Sequence, residues 1–311
     1  MGRYLLKRLG QSLLTVFLTV TTVFVLLRLP GGDIAYNYAP PNPTPAQLET
    51  VRRAFGLDKS VLSQYWTFLT NLVQGNVGDS FRFKRSALTV VLERLPYTIT
   101  LAVAAIVLTA VVAIPLGVWM ARRNNTAPET GANIATIAGQ SMPDFWIAFI
   151  LIIVFAVNLR LVDSSGFTKP SSIILPTVTI AILQIALISR LVRREMTTNL
   201  NAPFVNIARA RGVSERRLTW GYAFSNSAIP VVTALGTRFA AMLNGVVIVE
   251  VVFQWPGVGS LVVEALKTRD LPLIQATVLI TVILALLVQL GVDLLYPLMD
   301  PRVRLGKAAA R

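Results

Sequence analysis

Four ionisable side chains interrupt long apolar runs in this 311-residue sequence: Asp144, Arg238, Glu250 and Asp293. At mid-membrane depth such a group costs about 2.5–3.5 kcal/mol on insertion scales, so each must face protein or water. What the chain lacks bounds its chemistry. With zero His and zero Cys there are no thiol nucleophiles, imidazole bases or disulfides, and no zinc, haem or iron–sulfur site is expected. A membrane-embedded hydrolase would be left with a Ser–Lys or paired-carboxylate site. No G-x-x-x-x-G-K-[ST] motif occurs, since Gly306-Lys307 is followed by Ala308, so the chain cannot cradle nucleotide phosphates in a P-loop.

The setting of these residues is lipid. Hydrophobic residues make up 54% and charged residues 14%, with a mean hydropathy of +0.63, against roughly a quarter charged in a soluble domain. Several apolar runs reach the ~17–25 residues that cross a ~30 Å hydrocarbon core. Six candidate spans follow: Gln11 to Leu29, Pro96 to Met120, Ile134 to Val157, Ile173 to Ser189, Ala228 to Phe253 and Leu273 to Met299. The first follows Arg3, Lys7 and Arg8, but it is too long for a signal peptide and no small-residue cleavage site comes after it. The expected fold class is all-α, a polytopic membrane protein.

A net charge of +14 and a pI near 10.9 would point to nucleic acid in a soluble chain. Here the positions of the basic residues set topology instead, and no nucleic-acid partner is expected. Sixteen Lys and Arg fall on the side of both termini, and only Arg160, Lys169, Lys267 and Arg269 lie in the short loops opposite. By the positive-inside rule both termini are cytoplasmic. The chain then divides into a first segment and span (1–29), a small extracytoplasmic helical domain (30–95), a transmembrane domain (96–299) with a cytoplasmic loop (190–228), and a tail (300–311).

In the outer domain, Thr44-Pro45-Ala46-Gln47 reads as a capping box with Pro at the first helical position, and Gly56 as the stop. A second helix is expected from Ser60 to near Gly75. Its apolar positions Val61, Leu62, Tyr65, Trp66, Leu69, Leu72 and Val73 recur at helical spacing and pack either on the membrane or on the first helix. Arg238 and Asp293 read as a structural ion pair or as snorkelling side chains. Asp144, near the cytoplasmic start of the third span, is a candidate for gating. Glu250, at the outer end of the fifth, is open to three readings: substrate contact, partner contact or turn cap. After Phe253 and Trp255, the Pro256-Gly257-Val258-Gly259 turn re-enters the membrane only where protein or a water-filled cavity satisfies its backbone, which places it at an outer gate. Trp119, Trp146 and Trp255 also read as interface-belt anchors, and Gly236 and Gly245 permit close helix approach.

The longest cytoplasmic loop carries the densest signal. Pro203 fits a helix start; Phe204, Ile207 and Ala208 fall on one face; Gly212 fits a left-handed cap; Ser214 fits the N-cap of a second helix with Glu215 in its first turn. The product is a helical elbow, kept thin by Ala208 and Ala210 and charged by Arg209 and Arg211. Such an elbow suits either a groove on another protein or, as an interfacial basic helix, anionic lipid.

At these residues the chain resembles a known family. Ala208-Arg209-Ala210-Arg211-Gly212-Val213-Ser214-Glu215 with Asn226 and Ile229-Pro230 is similar to the cytoplasmic loop of ABC-importer permeases of the peptide and nickel branch, dipeptide/oligopeptide permease B-type. The resemblance runs nearly end to end. It takes in Phe55-Gly56-Leu57-Asp58 and Gln64-Tyr65, Ser141-Met142-Pro143-Asp144-Phe145-Trp146, and Ile174-Leu175-Pro176. Further on it takes in Val249-Glu250 with Phe253 to Gly259, Arg269-Asp270 with Pro272, Asp293, and Asp300-Pro301-Arg302-Val303-Arg304. The chain departs from the pattern at Asn206, which stands where the wider superfamily has Glu, at Gly221 to Ser225, and at Val162 to Gly166.

The resemblance implies a type I ABC importer fold of six transmembrane helices in the cytoplasmic membrane of a prokaryote. It implies alternating access for di- or oligopeptides, with nickel chelates or glutathione as alternatives. The elbow would be the coupling helix, with Phe204, Ala208, Arg209, Ala210, Arg211, Gly212, Ser214 and Glu215 meeting cytoplasmic ATPase subunits that hold the ATP and Mg; this chain would bind no cofactor. A second homologous permease, an extracytoplasmic substrate-binding protein and membrane lipid complete the implied partners. Asp144, Glu250, Phe253, Trp255, Pro256 and Gly257 are then candidates for the pathway or gate. The rival from another class, a stand-alone secondary transporter, would have only Asp144, Glu250 and Asp293 for ion coupling.

Overall fold

A computed structural model describes residues 2–28, 34–37, 39, 42–54, 56–167 and 169–299. Phe55 and the Asp300 to Arg304 block lie outside the described residues. The chain forms two compact units, Met1–Tyr97 with Pro256–Leu284, and Thr98–Trp255 with Ala285–Arg311.

In the first unit, helix α1 (Gly2–Leu26) is followed by a 3₁₀ turn (Ile34–Asn37) and helices α2 (Pro45–Ala54) and α3 (Val61–Val73). The local chemistry of these starts and stops is as expected from sequence. Thr44 N–H donates to Gln47 Oε1 (2.8 Å) and Gln47 N–H to Thr44 Oγ1 (3.3 Å), closing the capping box. Gly56 has φ +63°, and Ser60 Oγ accepts from Ser63 N–H at 3.3 Å. A short hairpin, β1 (Asp79–Ser80) and β2 (Arg85–Ser86), then leads into helix α4 (Ala87–Arg122). This unit also holds α12 (Val258–Lys267) and the start of α13 (Leu271–Met299). Its core is Val77, Val90, Val91, Val258, Leu261, Leu273 and Ile274.

Asp270 is the polar centre of this unit and is fully buried. It accepts from Ser80 Oγ (2.5 Å), from Arg82 N–H (3.2 Å) and from Leu273 N–H (3.2 Å), so one carboxylate fixes the hairpin to the first turn of α13. Arg82 also pairs with Glu264 of α12.

The second unit contains the rest of α4, then α5 (Ala127–Ser141), α6 (Asp144–Leu151), α7 (Ile174–Leu200), α8 (Pro203–Ala210), α9 (Glu215–Arg217), α10 (Ser225–Gly245), α11 (Val247–Val252) and the end of α13. Wider π-type turns extend α6 to Asn158 and join α9 to α10 over Leu218–Phe224. Ala113, Val118, Ala121, Ile188, Val192, Met196, Ala223 and Val231 form its core. Gly117 lets α4 and α7 touch: a Cβ there would lie 2.5 Å from Ser189 O and 2.6 Å from Val192 Cβ. Gly236 is similarly close to Val292 of α13, with 2.2 Å to Cγ2. Arg193 of α7 pairs at 2.9 Å with Glu129 of α5, whose side chain is 3% exposed.

The fourth span, expected to stop at Ser189, runs on as α7 to Leu200, and the spans differ from the sequence expectation in three further places. Among the described residues four helices are long and apolar enough to cross a membrane: Arg8–Leu26, Ala87–Arg122, Pro170–Leu200 and Leu271–Leu294. The second begins nine residues before Pro96, because nothing between Ala87 and Pro96 breaks a helix. The expected third span is bent by 103° between Ser141 and Asp144. Met142 is extended (φ −89°, ψ 133°), as a residue before proline must be, and Pro143 has no N–H to continue the ladder. The expected fifth span is the pair α10 and α11, interrupted at Val246.

Two predictions follow from this packing. Gly117→Val should lower the thermal unfolding midpoint of the detergent-solubilised chain, at a cost of about 1–3 kcal/mol for overpacking. Gly131→Ala, on α5 with nothing within 4 Å, should leave the midpoint unchanged or raise it. Asp270→Ala removes the acceptor of buried donors, at about 1–3 kcal/mol for each one left unsatisfied, and should expose the hairpin to trypsin at Arg82, Lys84 and Arg85, measured by limited proteolysis against the parent chain.

Candidate functional site

The elbow is built by α8, a tight turn and α9. Pro203 starts α8 behind Ala202, whose backbone is extended (φ −69°, ψ 147°). The helix ends in a complete Schellman turn: Gly212 has φ +78°, Gly212 N–H donates to Arg209 O at 3.0 Å, and Val213 N–H donates to Ala208 O at 3.2 Å. Ser214 is extended ahead of α9, and its carbonyl accepts from Leu218 N–H at 2.9 Å. Its hydroxyl makes no capping bond.

Phe204, Ile207 and Ala208, expected on one face of α8, are divided between two. Val205 and Ala208 pack with Leu218 under the elbow, flanked by Val213 and Tyr222. Phe204 and Ile207 are 41% and 55% exposed. Ala208 is therefore separated from Phe204 and Ile207, because Val205, one residue later than Phe204, pairs with Ala208 at i, i+3 and buries the larger aliphatic group. Phe204, Ile207, Ala210 and Arg211 are left on the exposed side. Val205 and Leu218 were not singled out in the sequence, although Val205 carries the same helical signal as its neighbours.

Charge stiffens the turn. Arg209 Nε donates to Glu215 Oε1 at 2.8 Å and Arg209 Nη1 to Asn206 Oδ1 at 3.0 Å. The hydrogen-bonded Arg209 guanidinium holds the Glu215 carboxyl below the usual carboxylate range. Asn206 thus orients Arg209. At the base of the elbow, Asn199 Nδ2 donates to Ser227 Oγ (2.9 Å) and Ser227 Oγ to Ala223 O (2.9 Å), so the end of α7 is clasped to the start of α10. Asn226 Nδ2 donates to Tyr222 O at 2.7 Å.

A second constellation surrounds Glu250. Its side chain is fully buried on α11 and accepts from Thr98 Oγ1 of α4 at 2.6 Å. Phe253 and Trp255 are buried as well. Trp255 N–H donates to Glu250 O (2.8 Å) and Gly166 N–H to Phe253 O (2.8 Å), while the Phe167 and Trp255 rings meet edge to face at 4.9 Å. Trp255 is thus an interior side chain and not an interface-belt anchor, because the chain after Val252 folds back through Gln254 (φ +51°) and Phe167 covers it. Pro256 and Gly257 begin the segment that leads to α12 in the other unit. Asp144 opens α6, half-buried, behind Pro143. Thr98 and Phe167 were missed, and Gly166 was noted only as part of the Val162 to Gly166 departure; Thr98 is one of several hydroxyl residues of α4, so its type alone does not single it out. Asp293 is buried and Arg238 exposed.

The family described as binding-protein-dependent transport system inner membrane component matches residues 113–305, and its N-terminal companion matches residues 1–102. The chain is similar to the dipeptide transport system permease protein DppB of Lactococcus lactis subsp. cremoris, 35% identical over 306 residues, 98% of this chain and 100% of that one. It is similar to a putative peptide transport system permease protein of Brucella abortus, 34% identical over 98% of this chain and 99% of the relative. It is also similar to the glutathione transport system permease protein GsiC of Escherichia coli, 32% identical over 98% and 99%. Among solved structures, the inward-facing MetNI methionine ABC transporter matches with a TM-score of 0.56 at 15% identity, covering 68% of this chain and 96% of that one. An amino acid ABC transporter matches with a TM-score of 0.51 at 16% identity, covering 67% and 93%. The chain belongs to the family of binding-protein-dependent transport system inner membrane components, and its all-α fold is that of the type I ABC importer permeases.

Proposed function

We propose that this chain is one of two permease subunits of an ATP-driven importer of di- or oligopeptides, in the cytoplasmic membrane of a prokaryote with both termini cytoplasmic. The observation that carries the reading is the elbow: an exposed, internally buttressed knob on a chain that has no P-loop of its own. The full-length likeness to peptide permeases supports peptides as the cargo. Glutathione is a second reading because it is itself a tripeptide, and the glutathione permease is nearly as similar.

In this mechanism the ATPase subunits hold the nucleotide and Mg, and this chain receives their motion. Phe204, Ile207, Ala210 and Arg211 present the docking face of α8, while Arg209, Gly212, Ser214 and Glu215 keep the turn behind it stiff. Ala208 acts from beneath, joining α8 to Leu218. Closure of the ATPase pair then moves α7 and α10 together through the Asn199–Ser227 clasp, a coupling between distant sites through a rigid element. At the far end, Glu250 with Thr98, and Phe253 and Trp255 with the Gly166 backbone and Phe167 ring, hold an outer gate that Pro256 and Gly257 continue. Asp144 stands by the bend in the third apolar segment as a gating residue. Substrate arrives from an extracytoplasmic binding protein.

Purification of the tagged chain from its native membrane in mild detergent, with partners identified by mass spectrometry, should recover a second permease and ATPase subunits in fixed ratio. Repeated recovery of the chain alone under stabilising conditions would overturn the importer reading in favour of a stand-alone transporter. Gly212→Val should abolish transport-linked ATPase stimulation while leaving membrane insertion intact, since a β-branched residue cannot adopt the left-handed cap without strain. Gly212→Asn, which tolerates that conformation, should keep part of the stimulation. Normal stimulation in the valine variant removes the elbow from the mechanism.

A further inference from the structure

Helix α3 carries no charged residue in its thirteen positions, and its surroundings divide it into three faces. The face toward α1 is fixed by contacts: the Tyr65 and Phe68 rings lie 5.1 and 5.4 Å from that of Phe24. Tyr65 OH and Thr21 Oγ1 are 2.7 Å apart. Phe68 and Leu72 line an apolar crevice with Val16, Val20 and Val23.

At 100° per residue, the two flanks beside that face are chemically opposite. One flank is Leu62, Trp66, Leu69 and Val73, of which Leu62, Trp66 and Val73 are 67%, 60% and 89% exposed. The other is Gln64, Thr67 and Asn71, which open with Arg28 and Lys59 on a polar cleft of about 250 Å³. Thr67 and Thr70 turn their hydroxyls back onto Ser63 O (2.9 Å) and Trp66 O (3.1 Å), which spares them a need for water.

The level of α3 along α1 is also fixed. Thr21 lies five residues before Leu26, where the apolar span ends, or about 8 Å along the helix. Arg28 stacks on the Phe24 ring with 3.5 Å to its centroid and donates to Gln64 Oε1 at 3.1 Å. The first half of the helix therefore lies between Thr21 and Arg28, where hydrocarbon gives way to headgroups, and Phe68 and Leu72 reach along α1 as far as the crevice at Val16 and Val20. On α1 the side chains Leu14, Phe17, Leu18 and Val25 are likewise exposed, the surface that a span presents to acyl chains. An amphipathic helix with an aromatic residue at that depth matches an interfacial segment.

We propose that α3 is an interfacial helix whose Leu62–Trp66–Leu69–Val73 flank is seated in the outer leaflet of the bilayer, with its Gln64–Thr67–Asn71 flank turned to water. The inference rests on the reading above that α1 is a span and that α3 is extracytoplasmic. The segment after α1 is then moored to lipid along one edge, and the binding protein meets its polar side.

The chain has no cysteine, so single thiols can be placed at will. Trp66→Cys, Val73→Cys, Thr67→Cys, Asn71→Cys and, as a control on α1, Leu14→Cys are each spin-labelled in the assembled transporter with cysteine-free partners, reconstituted in phospholipid vesicles. Collision with molecular oxygen reports lipid, and collision with chromium oxalate reports water. At positions 66 and 73 oxygen should be favoured several-fold, as at position 14, whereas positions 67 and 71 should be reached by chromium oxalate. Chromium oxalate reaching positions 66 and 73 as freely as 67 would overturn the proposal. So would exclusion of both relaxants there, which would mean that protein covers the flank. Chromium oxalate reaching position 14 would instead show that α1 is not a span, so the underlying reading fails separately from the proposal.

Discussion

Lipid offers no hydrogen-bond partner, so wherever a membrane helix bends or stops, its backbone groups must be bonded within the protein. The interruptions of this chain follow that constraint one after another. Past the proline that bends the third apolar segment, Trp146 and Ile147 N–H groups donate to Pro143 O at 3.0 and 3.2 Å. At the far end of α6 the helix widens instead of stopping, with Leu159 N–H on Val154 O and Leu161 N–H on Phe155 O. After α11 the chain folds back on itself through Trp255 N–H and Glu250 O, and its Phe253 carbonyl is met by Gly166. Each irregular stretch is one the surrounding protein can satisfy, and the Glu250 region is among these stretches.

The same constraint shapes the setting of three buried carboxylates. Asp270 gathers the donors of a hairpin and a helix start, and Glu129 is held by Arg193. Glu250 takes the Thr98 hydroxyl. These groups join elements distant in sequence, and their cost if unpaired makes the arrangement specific. Small residues do the complementary work where helices must touch. Gly117 brings α4 against the α7 backbone, and Gly236 brings α10 against Val292.

Elements whose cause is local were readable from the sequence. The Thr44–Gln47 box, the Ser60 cap and the Gly212 turn each depend on residues within a few positions of one another, and all are formed. The membrane character and the fold class were equally accessible, because apolar length is a property of a single segment. What required three dimensions was not. Pro143 lies within the run expected to be one span from Ile134 to Val157, yet the chain turns there by 103°. Phe204 and Val205 are adjacent and alike in apolarity, and only the position of Leu218 decides which faces inward. Thr98 lies 152 positions from Glu250, and no local pattern announces such a pair.

The Asn199–Ser227 clasp gives the elbow a mechanical property. A loop hung from two independent helix ends would absorb a push by flexing at its roots. Here the roots are tied, so torque applied at α8 is delivered to α7 and α10 as one rod. A 27-residue α7 is about 40 Å long, so if it pivots about its middle a lateral displacement of about 4 Å at one end tilts it by about 11°. In the proposed importer the lever ratio about that pivot would be near unity: travel at one end of α7 would reappear at the other with little amplification, and the stroke would be set by how far the elbow itself is carried.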